Sequence, residues 1–153
     1  MVRQLPRALT PEEDGRLTWL SLLPRVRVGL YEITDTQFRK SLIDANETIR
    51  ASFAATGFHD FEAQQPGPAG KRVLPIWLLT SSGPKATKIS LYRPQTKGGV
   101  FYRFWIYEFK GHLPNANSGD VMALVQDGTT CVAIDLTLFE LIEDRIQVLS
   151  SLF

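Results

Sequence analysis

The stretch Val121-Met-Ala-Leu-Val-Gln-Asp127-Gly128-Thr-Thr-Cys-Val-Ala-Ile-Asp-Leu136 decides the fold. Two apolar, β-branched runs, Val121–Gln126 and Thr130–Leu136, flank an Asp-Gly pair, the strongest short hairpin signal that a sequence offers. The same pattern recurs upstream. Val73–Thr80, Thr87–Arg93 and Val100–Phe109 read as strands, set apart by turn chemistry at Ser82-Gly-Pro, Lys97-Gly-Gly and Asn115 to Gly119. Nearer the start, Arg16–Leu23 and Val28–Ile33 read as one more hairpin, whose tip Pro24-Arg25-Val26-Arg27 is basic. Between these groups Thr34-Asp35 caps a single helix, with Phe38, Leu42, Ile43, Ile49 and Phe53 at helical spacing and Gly57 closing it. Phe58 to Gly70 reads as a loop, Thr10-Pro-Glu-Glu-Asp14 as one helical turn, and Leu138, Leu141, Ile142, Ile146 and Leu149 as a terminal amphipathic helix. Seven strands with one mid-chain helix predict a mainly β fold, a barrel or partly open barrel. The expected layout is an extension over 1–15, the β domain over 16–137 and a helix over 138–153 that leads towards a further domain.

A chain of 153 residues with 44% apolar and 22% charged content is ordinary for one globular domain with a single core. No run approaches a membrane span, and the start lacks the apolar segment of a secretory signal. The lone cysteine, Cys131, cannot make an internal disulfide and suits a reducing cytoplasm. Two histidines and one cysteine are too few for a structural zinc site.

Charge is segregated although the net charge is only +1. The 45 residues between Glu62 and Glu108 hold no acid but carry Lys71, Arg72, Lys85, Lys88, Arg93, Lys97 and Arg103. A second acid-free window, Gly15 to Tyr31, holds Arg16, Arg25 and Arg27. After Lys110 there are six acids against Arg145 alone. A basic face on a neutral protein suits a polyanion, and short hydroxyl side chains interleaved with bases suit phosphate oxygens and guanine edges.

Catalytic constellations are weaker. Glu108-Phe-Lys110 has the form of half a metal-dependent nuclease site, but the nearest upstream acid is Glu62. Ser82-Gly-Pro-Lys85 has Ser-x-x-Lys spacing but turn composition, and Gly67 to Lys71 lacks the spacing of a phosphate-cradling loop. His59 and His112 read as surface histidines, Cys131 as a small core residue, and Trp19 and Trp105 as core rather than stacking platforms. The rivals to nucleic-acid binding are a self-contained nuclease using Glu108 and Lys110, and a protein-interaction barrel with an incidental basic face.

Val28-Gly-Leu-Tyr31, Lys88-Ile-Ser-Leu-Tyr-Arg93, Phe104-Trp-Ile-Tyr107, Leu113-Pro114, Gly119-Asp-Val-Met-Ala-Leu124, Asp127-Gly128 and Ile134-Asp-Leu136 come one after another in an order that resembles a known family. It is the amino-terminal effector domain of EcoRII-like restriction endonucleases, a DNA-binding pseudobarrel shared with plant B-three transcription factors. The resemblance covers Arg16 to Thr137. It implies a seven-stranded open pseudobarrel that grips the major groove of double-stranded DNA with two arms and reads a short CCWGG-like site. Arg25 and Arg27 would belong to the first arm. Ser81, Ser82, Lys85, Thr87, Lys88, Ser90 and Arg93 would belong to the second arm and the strand after it. Tyr31 and Tyr92 would orient phosphates through their hydroxyls, and Lys71 and Lys97 would clamp phosphates outside the arms. The domain itself would need no cofactor; Mg2+ would serve only an attached nuclease domain in a bacterial or archaeal cytoplasm. The chain departs from the family in a short first arm, with Val26-Arg27 where a polar pair is usual, and in a second arm less rich in arginine.

Overall fold

The computed structural model describes residues 7–95, 102–141 and 143–153. At its centre is the hairpin expected around Asp127-Gly128. Strand β6 (Val121–Gln126) pairs antiparallel with β7 (Cys131–Asp135), from Met122 opposite Asp135 to Gln126 opposite Cys131. The Asp127 carboxylate accepts the N–H groups of Thr129 (2.8 Å) and Thr130 (2.7 Å), which fixes the turn. Every residue of both strands is buried, so the pair is covered on both faces and, Gln126 and Asp135 apart, apolar.

Around this pair a seven-stranded mixed sheet forms in the order β1-β6-β7-β3-β4-β5-β2. The others are β1 (Arg27–Glu32), β2 (Ile43–Asp44), β3 (Arg72–Thr80), β4 (Gly83–Tyr92) and β5 (Arg103–Ile106). All neighbours are antiparallel except β7 and β3, where Trp77 lies opposite Val132 and Leu78 opposite Ala133 in parallel. The fold is mainly β with few helices, an open sheet of the kind a pseudobarrel requires.

Several local readings are corrected. Arg16–Leu23 is not a strand: helix α1 runs from Pro11 to Ser21 across the boundary expected at residue 15. Thr10 and Glu13 form a capping box, Pro11 opens the first turn, and Leu17, Leu20 and Leu23 recur at helical spacing. β1 therefore has β6 as its partner, Arg27 opposite Gln126, and Pro24–Val26 joins a helix to a strand instead of forming a hairpin tip. The mid-chain helix is two helices, α2 (Asp35–Lys40) and α3 (Glu47–Thr56). Ser41 turns left-handed (φ 50°) after α2, β2 docks Ile43 opposite Phe104, and Asn46 caps α3. Of the strand read over Val100–Phe109, Val100 and Phe101 lie outside the described residues, β5 covers Arg103–Ile106, and Glu108 turns left-handed (φ 56°) into α4 (Phe109–His112). The last helix, α5, spans Glu143–Ser150. Trp19 is exposed on α1 and so is not a core residue, Trp105 is half-buried and packs against the edge of the core, and Cys131 is buried as expected. Among the described residues no helix is long and apolar enough to cross a membrane.

Asp135 ends β7 fully buried. Its Oδ1 accepts the N–H groups of Thr137 and Leu138, both at 3.0 Å, while Oδ2 has no partner of good geometry. Burial, the first cause, and the adjoining Asp120 carboxyl push Asp135 up to about 8. A proton on Oδ2 removes the charge that burial and the Asp120 carboxyl disfavour. The unfolded chain releases that proton near the ordinary value, so folding loses stability as pH rises from about 4 through 8. Asp135→Asn, which mimics the protonated acid, is expected to raise Tm most at pH 8, with the gain shrinking to nothing as pH falls to about 4. A lower Tm at pH 8 counts against a protonated Asp135.

Candidate nucleic-acid interface

The register sorts the basic residues by the end of the sheet at which they stand. Arg27 lies opposite Gln126, Gln126 opposite Cys131, and the β7–β3 register places Cys131 level with Ile76. One end therefore carries the start of β1, the β6–β7 turn and the start of β3. The opposite end carries the end of β1 and the β3–β4 turn, where Thr80 lies opposite Gly83.

Arg25 and Arg27 stand exposed at the first end. Arg25 is held left-handed (φ 67°), an uncommon state for a residue with a side chain, and it turns the chain from α1 into β1. Gln126, wholly buried, holds the start of β1 in place. Its Nε2 donates to Arg27 O (3.2 Å) and Ser52 Oγ (3.0 Å), and its Oε1 accepts from Thr56 Oγ1 (2.6 Å). Charge patterning misses Gln126, yet it is marked in the sequence as the one polar residue of an otherwise apolar strand. Lys71 is exposed just before β3 at this same end. β4 leaves and β5 returns here too, with Tyr92 opposite Arg103. Lys97, in that connection, lies outside the described residues.

The second arm expected from the sequence is not brought to Arg25 and Arg27. Ser81 and Ser82 are exposed at the opposite end, in a tight turn that Thr80 closes by donating to Gly83 O (2.8 Å) and accepting from Ser82 N (3.1 Å). Lys85 is exposed next to that turn, and Lys88 is exposed midway along β4. Thr87 spends its hydroxyl on Tyr107 O (2.7 Å).

Three of the expected contact residues are buried or bonded within the protein. Tyr31 is buried with its ring 5.2 Å from Phe104, and burial raises its phenol further above the ordinary value, so its hydroxyl does not face a phosphate. Ser90 is buried opposite Trp105. Arg93 donates to the carbonyls of Glu62 (2.9 Å) and Gln64 (3.1 Å) and lies 5.7 Å from the centroid of Tyr102. Arg50 approaches the same ring at 5.3 Å, and the Tyr102 hydroxyl donates to Glu62 (2.8 Å).

His59, read as a surface residue, is buried instead. Arg72 donates to its Nδ1 (2.9 Å), which assigns the proton to Nε2, the donor to Gln64 Oε1 (2.9 Å). Gln64 passes the chain on to Leu91 O (2.7 Å). Burial first, and the Arg72 charge, keep this histidine below its ordinary value, so it is neutral and staples the loop after α3 to the ends of β3 and β4.

Glu108 is exposed at a left-handed turn, its carboxylate 3.6 Å from His112. Lys110 is turned away, donating to Ala116 O (2.9 Å) and lying 4.6 Å from the Phe38 centroid. Among the described residues, no three His, Cys, Asp or Glu side chains are grouped to hold a metal ion. No protein-family model, curated protein or solved structure matches this chain.

Proposed function

We propose that this chain binds double-stranded DNA sequence-specifically through the sheet end that carries Arg25, Arg27 and Lys71, as the non-catalytic specificity module of a restriction endonuclease. The observation that carries the reading is the display of Arg25 and Arg27. Both are exposed in an acid-free segment, on a backbone held by the buried Gln126, at the end where β4 and β5 open their connection. Forked guanidinium groups reach guanine O6 and N7, and Lys71 supplies a charge for phosphate. The engagement of Lys110 with Ala116 and Phe38 favours binding without cutting, with cleavage and its Mg2+ left to an attached nuclease domain. The order of motifs that resembles the effector pseudobarrels supports a restriction context and a CCWGG-like target.

The test is fluorescence anisotropy with short duplexes, one containing CCWGG and one scrambled. About three neutralised phosphates give a log–log salt slope close to −3. The Arg25→Ala/Arg27→Ala double variant is expected to lose about tenfold or more on its preferred duplex and to narrow the gap between duplexes. Ser81→Ala/Lys85→Ala, at the opposite end, is expected to leave both affinities unchanged. Absence of salt-dependent binding, the outcome expected of a protein-interaction barrel, sinks the proposal. So does a loss that tracks the turn variant and spares the arginine variant.

A further inference from the structure

The outer face of β3, β4 and β5 carries a set of groups of which the duplex interface uses only Lys71. Ile76, Leu78, Ile89, Leu91, Phe104 and Ile106 point into the core, so the residues alternating with them form the other face. There Ser90 lies opposite Trp105 and Tyr92 opposite Arg103, while the Tyr107 N–H bonds Lys88 O (2.9 Å). Trp105, Tyr92 and Tyr107 are all half-exposed. Together with Lys71 and Ser90 they line a cleft of about 360 Å³. Trp105 also rests against Phe109, at 5.9 Å between centroids, which steadies the ring.

The chemistry of this face is aromatic and cationic. Lys71 and Lys88 are exposed, and the nearest acid on the adjoining strand, Asp44, faces Arg103 at 3.9 Å. Rings on alternate residues of a strand stand about 7 Å apart. That is about twice the 3.4 Å spacing of bases stacked along one strand of a duplex. In a duplex the base faces are covered by their neighbours; only unpaired bases can spread to such a spacing and stack on side-chain rings.

We propose that this face binds single-stranded nucleic acid, two or three unpaired nucleotides with bases against Trp105, Tyr92 and Tyr107 and phosphates against Lys71 and Lys88. The site stands apart from Arg25 and Arg27 and does not depend on the duplex reading. The test titrates the full chain with the single strands dT12 and rU12, monitoring anisotropy and tryptophan fluorescence, beside the duplex assay. Saturable quenching by either strand at low salt is expected, with affinity falling as salt rises. Trp105→Ala is expected to weaken the single strand about tenfold, within the range measured when a stacking side chain is removed. It should leave duplex affinity unchanged, while Arg25→Ala/Arg27→Ala should do the reverse. Because Trp105 also touches Phe109, Lys88→Ala and Tyr107→Ala serve as second variants, each expected to weaken the single strand several-fold at unchanged Tm. Failure of both strands to bind at low salt, or full single-strand affinity in all three variants, overturns the proposal.

Discussion

Glu13→Ala is expected to lower stability by about 3 kcal/mol, the low end of the cost of breaking a buried ion pair. In a chain of this size that is a fall in Tm of about 6–12 °C. Glu13 is 1% exposed and joins three parts of the protein. Its two oxygens take Arg7 in a fork, both bonds at 2.7 Å, and the same guanidinium reaches Gly119 O at 2.8 and 3.1 Å. The Thr137 hydroxyl also donates to it, and its Oε1 accepts the Thr10 N–H (2.9 Å) to complete the capping box. Truncation removes the carboxylate that Arg7, the Thr137 hydroxyl and the Thr10 N–H share. Arg7 keeps 32% of its surface in water, which places the cost at the low end. The hydrogen bonds from Arg7, outweighing burial and helped by Thr137 and Thr10, hold the Glu13 carboxyl at about 2. A depressed carboxylate stabilises the fold fully above its unfolded value and loses that contribution as pH falls from about 4.5 to about 2. Circular-dichroism melts from pH 7 to pH 2.5 should therefore show an acid limb that is much shallower in Glu13→Ala. A variant within about 0.5 kcal/mol of the parent at pH 7, a typical surface substitution, refutes this role.

The same residue explains where sequence reading fails at the amino end. Thr10-Pro-Glu-Glu is a helix start, but Gly15 and the β-rich run after it argue for stopping the helix at one turn. The capping box and the Arg7 fork anchor the first turn, and Leu17, Leu20 and Leu23 serve a helix as well as a strand. By contrast, β6 and β7 are legible to within a residue or two, since a two-sided apolar strand and an Asp-Gly turn are local facts. The division of the mid-chain helix is not local. Leu42 and Ile43 continue the helical spacing, and only the docking of Ile43 against Phe104, far along the chain, draws Ile43 into a strand.

The charge segregation is legible, but its arrangement in space is not. Arg25 and the Ser81-Ser82 turn belong to opposite ends because β1 pairs with β6 and β3 runs parallel to β7, and pairing of that kind leaves no mark on either strand's own residues. The role of Arg93 is hidden for a similar reason: its acceptors are main-chain carbonyls of Glu62 and Gln64, which any side chains would have presented. Tyr31 reads as an amphipathic tyrosine in a basic window, and burial alone decides against its use on a ligand.

Gly29→Val is expected to cost about 3 kcal/mol, the upper part of the range for overpacking a filled core. β1 runs beneath α3 so closely that a Cβ on Gly29 would stand 2.9 Å from Ile49 Cα, 3.0 Å from Ile49 Cγ1 and 3.0 Å from Ser52 Oγ. The nearest of these atoms is helix backbone and cannot swing aside. α3 is itself tied to β1 by the Asn46 amide, which donates to Leu30 O (2.7 Å), so lifting the helix would strain that bond too. Ser52 also accepts from Gln126, the residue that holds Arg27 O, so the clash reaches the proposed duplex interface. The control is Gly15→Ala. Gly15 lies inside α1 with nothing within 4 Å of the position a Cβ would take, and the change is expected to stabilise by about 0.5–1 kcal/mol. The sign of the effect therefore depends on the neighbourhood and not on the glycine. Chemical denaturation of the two variants measures both values. Gly29→Val should also weaken duplex binding at concentrations where it remains folded, because the start of β1 must shift, whereas Gly15→Ala should bind as the parent does. Equal and small stability changes in both variants would mean that α3 does not press on β1 at this point, and the support drawn from Gln126 for the Arg27 backbone would fall with it.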